Sequence, residues 1–174
     1  MGSASTIFRF EHQPARWKLQ WHANSRQPTI TSTKLRSAIF FRTGEHVVTE
    51  SDINRFCELS GDYSPQHVSE EAAIKLGFGG RIAHGCLILS LGTGLVFDLG
   101  STMDKVIAFY GMDKVRFTKP VRIGDAIHME CEIIELIDKG ERGGVIKRRD
   151  SFKNQKGEVV ASIEKATLNA KRPA

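Results

Sequence analysis

GCLILSLGTGLVF, residues 85–97, decides how the rest of the chain is read. It carries no charge, and Ser90 and Thr93 are its only hydroxyl side chains. It exceeds a typical strand and falls short of the ~18 apolar residues that mark a membrane span. A surface helix has a wet face; this stretch has none, so as a helix it belongs inside something. Gly92 and Gly94 each cost about 1 kcal/mol against alanine in a helix interior. Close approach of another backbone or of a ligand would offset that cost.

Downstream, from Lys105, the period changes to two. Val115 and Phe117 alternate with Lys114, Arg116 and Thr118. Ile127, Met129, Cys131 and Ile133 alternate with His128, Glu130 and Glu132. Val145 to Phe152 reads as a third strand, and Val159, Ala161 and Ile163 alternate in a last one. Gly124-Asp125, Lys139-Gly140 and Asn154 to Gly157 supply turns. Strands joined by short turns make an antiparallel sheet with one covered face. One apolar helix followed by such a sheet predicts an α+β domain in which the sheet wraps a central buried helix.

Upstream, Ala38 to Phe41 begins the body as a strand. Thr49 or Ser51 caps a short helix whose Ile53, Phe56 and Leu59 share one buried face. Ser60-Gly61 ends it and delivers the chain to Asp62. Asp62 and His67 flank Ser64-Pro65, which predicts a loop rather than a regular helix. Such a loop can aim a carboxylate and an imidazole at one water and deprotonate it. Ser69 caps another helix that stops at Gly77, and Gly79-Gly80 leads to His84 and Gly85. The Gly85 N–H is an unpaired donor at a helix start, backed by the positive dipole end, which suits a developing oxyanion.

The net charge of +5 is unevenly placed. Residues 1–44 hold seven Lys/Arg and one acid; the remainder is nearly balanced. A nucleic-acid partner needs a basic face on the folded body, and the totals do not suggest one. Residues 1–37 read as a basic leader, rich in Ser, Thr and Arg, and residues 38–170 as the folded domain. The leader suits a mitochondrial transit segment, a disordered tail or sequence upstream of the true start. The expected location is the cytoplasm, or the mitochondrial matrix if the leader is a transit peptide. Cys57, Cys86 and Cys131 are odd in number and set in apolar surroundings, which predicts free buried thiols in a reducing compartment. No cysteine or histidine spacing matches a zinc site, and no run suggests a membrane partner.

Gly61-Asp62-Tyr63-Ser64-Pro65-Gln66-His67, Gly79-Gly80-Arg81-Ile82-Ala83-His84-Gly85 and Val115 to Asp125 together resemble the MaoC-like (R)-specific enoyl-CoA hydratase and 3-hydroxyacyl thioester dehydratase family. The resemblance covers roughly residues 45–168. It implies a single hot-dog fold, a homodimer, no cofactor, and an acyl chain carried by coenzyme A or acyl carrier protein. It implies that Asp62 and His67 bind one water, which adds to a trans-2-enoyl thioester while Gly85 receives the thioester oxygen. The product is then an (R)-3-hydroxyacyl thioester, and the reverse reaction is dehydration. The alternative within the family is the (R)-3-hydroxyacyl-ACP dehydratase of fatty acid synthesis. Ser64 stands where the family has asparagine, which affects loop geometry or substrate positioning. Arg81 and the run Lys147-Arg148-Arg149 are candidates for coenzyme A phosphates or an acidic carrier surface, or form a solvated face. His84 either fixes the loop or contacts substrate; Ser90 either touches substrate or bonds back to its own helix. A hot-dog thioesterase is a weaker reading, because residues 86–97 contain no acid. A non-catalytic acyl-binding subunit is the third.

Overall fold

A computed structural model describes residues 39–99 and 106–170. The leader, 1–37, lies outside the described residues. The chain begins with β1 (Ile39–Arg42) and β2 (His46–Val47), followed by three short helices: α1 (Glu50–Ser60), α2 (Pro65–Val68) and α3 (Glu70–Lys75). The central helix is α4 (Gly85–Phe97). Four strands follow: β3 (Val106–Phe117), β4 (Ala126–Asp138), β5 (Gly144–Lys153) and β6 (Val159–Asn169).

The strands form one antiparallel sheet in the order β1-β4-β5-β6-β3, with β2 paired to β4. The period-two pattern sets its faces. Cys131 pairs with Asp150, and Asp150 with Ile163, so these side chains share one face. Ile127, Met129, Cys131, Phe152 and Ile163 on that face are buried in the core with Leu87, Ile88, Leu95 and Val96 of α4. Full burial of each large side chain is worth about 1.5–3 kcal/mol. The α+β architecture and the central helix agree with the sequence reading.

Gly92 and Gly94 turn out to differ. A Cβ on Gly92 would sit 2.5 Å from the Phe152 ring and 2.8 Å from Met129 Sδ, so Gly92 lets the helix lie against the sheet. A Cβ on Gly94 would meet nothing within 4 Å. The helix is not covered all round: Cys86, Ser90, Thr93, Gly94 and Phe97 lie on an exposed side. One sheet covers only one side of a helix, and an apolar composition does not tell the two sides apart. Cys86 accordingly breaks the expectation of three buried thiols; it is free and exposed, while Cys57 and Cys131 are free and buried.

The helix α1 starts on a reciprocal cap. Thr49 Oγ1 accepts from the Asp52 N–H at 3.1 Å, and Asp52 Oδ2 accepts from the Thr49 N–H at 2.8 Å. Such caps contribute about 1 kcal/mol. Its buried face is Ile53 and Cys57, an i, i+4 pair, while Leu59 is 84% exposed, contrary to the expected stripe. Gly61 closes the helix in the left-handed region, φ 74°, with its N–H bonded to Cys57 O at 2.8 Å. That turn sends the chain to Asp62.

Candidate active site

Asp62 lies in the loop that Gly61 opens, and His67 lies on α2, a single helical turn that Pro65 starts. The sequence reading predicted loop for both; proline at the first helical position allows the turn instead. The His67 ring is buried, and its Nδ1 lies 2.8 Å from the backbone oxygen of Ile82. A carbonyl only accepts, so Nδ1 carries the proton. Nε2 is then a lone pair, and the Gln66 amide donates to it at 3.3 Å. Burial, the largest cause, holds the His67 pKa below the ordinary imidazole value, so the ring is neutral at neutral pH.

Asp62 is held differently. The Ser64 hydroxyl donates to Asp62 Oδ1 at 2.5 Å and the Ser64 N–H donates to the same oxygen at 3.0 Å. These two bonds, the hydroxyl first, hold the carboxyl below the usual carboxylate range. Ser64 thus performs the loop-ordering task that the resemblance left open. It touches Asp62 and is not among the residues lining the cleft described below.

His84 completes the cluster. Its ring stacks on His67 with centroids 3.7 Å apart at 25°, and its Nε2 lies 3.9 Å from Asp62 Oδ2. Asp62, His67 and His84 each bring one potential ligand atom, all within 4.8 Å of one another. One water making ordinary hydrogen bonds can bridge a carboxylate and an imidazole at that separation. Two stacked rings do not converge on one point, which is a poor arrangement for chelating one metal ion.

A cleft of about 430 Å³ opens beside the cluster. His67 and Gly85 line it, together with Ile82, Ala83, Phe117 and Ala161 among others; Asp62 is not among the lining residues. Gly85 is the first residue of α4, so its N–H has no intrahelical acceptor. Its lack of a side chain is required here, because a Cβ would come within 2.7 Å of the Phe117 ring.

None of the expected substrate contacts, Ser64, Arg81, His84 and Ser90, is in the cleft lining. Arg81 is committed elsewhere: Nε donates to the His67 backbone oxygen at 2.7 Å, and the guanidinium donates to Glu50 at 2.5 Å and to Asn54 at 2.8 Å. It ties α1 to α2 and so supports the residue that carries the imidazole. The Ser90 hydroxyl donates to Cys86 O at 2.8 Å, the back-bond within its own helix. The basic run divides by strand alternation: Arg148 points inward to Asp150, while Lys147 bonds Glu135 and Arg149 bonds Glu132 and Glu164 on the outer face. Sequence reasoning missed the Ile82 carbonyl, which no side-chain pattern announces, and Phe117, which lay inside the motif segment but had no stated role.

The MaoC like domain profile matches residues 33–155. Protein MaoC of Klebsiella aerogenes is 41% identical over 87 residues, covering 50% of this chain and 25% of that protein. The 3-hydroxybutyryl-CoA dehydratase of Methylorubrum extorquens is 37% identical over 95 residues, covering 55% of this chain and 59% of that enzyme. The chain therefore spans a quarter and about three fifths of the lengths of these two relatives. Among solved structures, an Archaeoglobus monoamine oxidase regulatory protein superposes with a TM-score of 0.73 at 37% identity, covering 80% of this chain and 93% of that one. Among the described residues, no helix is long and apolar enough to cross a membrane.

Proposed function

The chain belongs to the MaoC-like domain family, and from that premise we propose that it adds water to a trans-2-enoyl thioester, or removes it from the (R)-3-hydroxyacyl thioester. The observation that carries this reading is the His67 ring. Its Nδ1–H is pinned to the Ile82 carbonyl, which leaves Nε2, held by the Gln66 amide at 3.3 Å until a water displaces it, as the neutral base of the cluster that includes Asp62.

In the forward direction the water oxygen attacks Cβ, and one water proton passes to His67 Nε2. The C=C electron pair moves toward the thioester, so negative charge grows on its oxygen. The Gly85 N–H at the start of α4 donates a hydrogen bond to that oxygen; one such donor is worth about 3–4 kcal/mol in the transition state. His67, now imidazolium, returns a proton to Cα. Hydroxyl and hydrogen then arrive from one face, a syn addition. Asp62, kept ionised by Ser64, orients the water and stabilises the imidazolium. Phe117 and the apolar wall around it exclude bulk water from the growing charge.

The carrier is coenzyme A in this reading, with an acyl carrier protein as the second possibility within the same chemistry. The relative from Methylorubrum supports a coenzyme A substrate by its name. A homodimer is part of this reading, and the exposed side chains of β3 support it. Ile107, Phe109, Tyr110 and Met112 are all exposed on this edge strand, and an apolar edge of this kind calls for a pairing partner.

Purified protein mixed with crotonyl-CoA tests the function. Loss of the enoyl absorbance without release of thiol is expected. Release of free thiol would mean a thioesterase, and no change in either signal would leave an acyl-binding protein.

A further inference from the structure

The three reactive groups of the site sit on three separate elements: Asp62 on the loop after α1, His67 on α2, and Gly85 at the start of α4. His84 reaches all three. Its ring stacks on the His67 ring at 3.7 Å. Its Nε2 lies 3.0 Å from the backbone oxygen of Asp62. Its own backbone is the N-cap of α4 and immediately precedes Gly85. The ring is only 3% exposed and is held from the far side by α1, through Phe56 at 4.9 Å between centroids and Cys57 Sγ at 3.8 Å from Nε2.

These partners fix its protonation. The Asp62 carbonyl only accepts, so Nε2 carries a proton and donates it. Nδ1 is buried and has no partner. A buried N–H without an acceptor, or a buried imidazolium, would cost more than a bare lone pair. Burial also keeps the facing Cys57 as a thiol, so it offers His84 no negative charge. The Asp62 carboxylate turns Oδ2 toward His84 at 3.9 Å, beyond hydrogen-bond reach, while Ser64 holds its Oδ1.

We propose that His84 is a positioning residue of the site: a neutral, Nε2-protonated imidazole that locks the Asp62 loop and the plane of the His67 ring to the start of α4. It touches neither the water nor the acyl chain. Its hydrogen bond sets how far the Asp62 loop stands from α4, and its ring sets the direction of the His67 lone pair. The kinetic consequence rests on the hydratase reading above; the tautomer does not.

Two measurements on the full chain test this. Long-range proton–nitrogen NMR at neutral pH is expected to show His84 protonated at Nε2 and bare at Nδ1, with His67 in the opposite tautomer. A proton on His84 Nδ1, alone or in an imidazolium, overturns the proposal. With crotonyl-CoA, His84→Ala is expected to lose roughly 100-fold in kcat with KM within about threefold, because misplaced catalytic groups slow chemistry rather than binding. His84→Gln, which keeps an N–H within reach of the Asp62 carbonyl, is expected to recover at least about tenfold of that loss. Equal losses in the two variants, or a loss confined to KM, overturn the clamp. Circular-dichroism melts establish that the variants fold; if they do not, the wild-type tautomers decide. Wild-type protein without turnover would sink the hydratase reading, and the NMR result would still decide the clamp.

Discussion

Two of the polar clusters among the described residues are built on opposite plans. On the helix-side face of the sheet, Arg148, Asp150 and Lys165 are nearly enclosed. Both Asp150 oxygens take N–H groups from Arg148, at 2.5 and 3.0 Å, and Lys165 Nζ lies 3.4 Å away. The Arg148 guanidinium also lies over the Phe41 ring at 5.3 Å. At the start of α4, Asp62, His67 and His84 are close together but unsaturated. His84 Nδ1 has no partner, and His67 lines an open cleft. A cluster that satisfies itself holds strands in register; one that brings an imidazole to the wall of a cleft is available to a ligand.

The contrast breaks most sharply on His67. His67→Ala is expected to lower turnover of crotonyl-CoA by 10²–10⁴-fold, roughly the range for removing a general base, while the melting curve stays near wild type. Near-full activity would move the site elsewhere. Asp150→Asn should do the reverse. It leaves Arg148 and Lys165 buried together, and the expected cost is about 3–5 kcal/mol in a denaturant titration, with kcat per folded molecule unchanged. A stable Asp150→Asn protein with lost activity would put the wrong cluster in charge of chemistry.

The pH profile sharpens the difference further. Burial disfavours the His67 imidazolium, so its folded pKa lies below the ordinary 6.5. The base form therefore survives as pH falls through 6.5 and is lost only below that. Plotted as kcat/KM for hydration, the acid limb should have its midpoint under 6.5, with about tenfold loss per unit beyond it. A midpoint above 6.5 would mean that a different group is titrating. The smallest effect belongs to Ser64→Ala. The hydroxyl bond to Asp62 is lost and the Ser64 N–H remains, so kcat should fall by only about 3–10-fold. No change at all would mean that the backbone bond alone orders Asp62.

Much of this was legible before any coordinates. Ser69, and Thr49 with Ser51 as its alternative, announced their helices because a hydroxyl just before an apolar stripe satisfies orphan N–H groups; the structure puts the first cap on Thr49. The alternation from Val115 to Ile163 announced the strands and most of the residues that point to the core, although Phe117 and Val159, on the same apolar pattern, are exposed. Asp62, His67 and Gly85 were picked out because their side chains, or lack of one, suit water activation and an oxyanion. Less was legible where partners are distant in sequence. The role of Arg81 was misjudged because its partners, Glu50 and Asn54, lie 31 and 27 residues away. Leu59 was assigned to the wrong face because a short helix gives too few repeats to fix which stripe the core selects.

The amino-acid sequence by itself determined the local states: where the chain caps, turns and alternates, and which chemical groups are on offer. Those depend on neighbours within a few residues, which the sequence states directly. Only the tertiary structure decided which side of α4 meets the sheet, which nitrogen of the His67 ring carries the proton, and which arginine is spent on holding the fold. Each of those choices is made by an atom that arrives from far along the chain, such as the Ile82 carbonyl, the Phe152 ring or the Asp150 carboxylate.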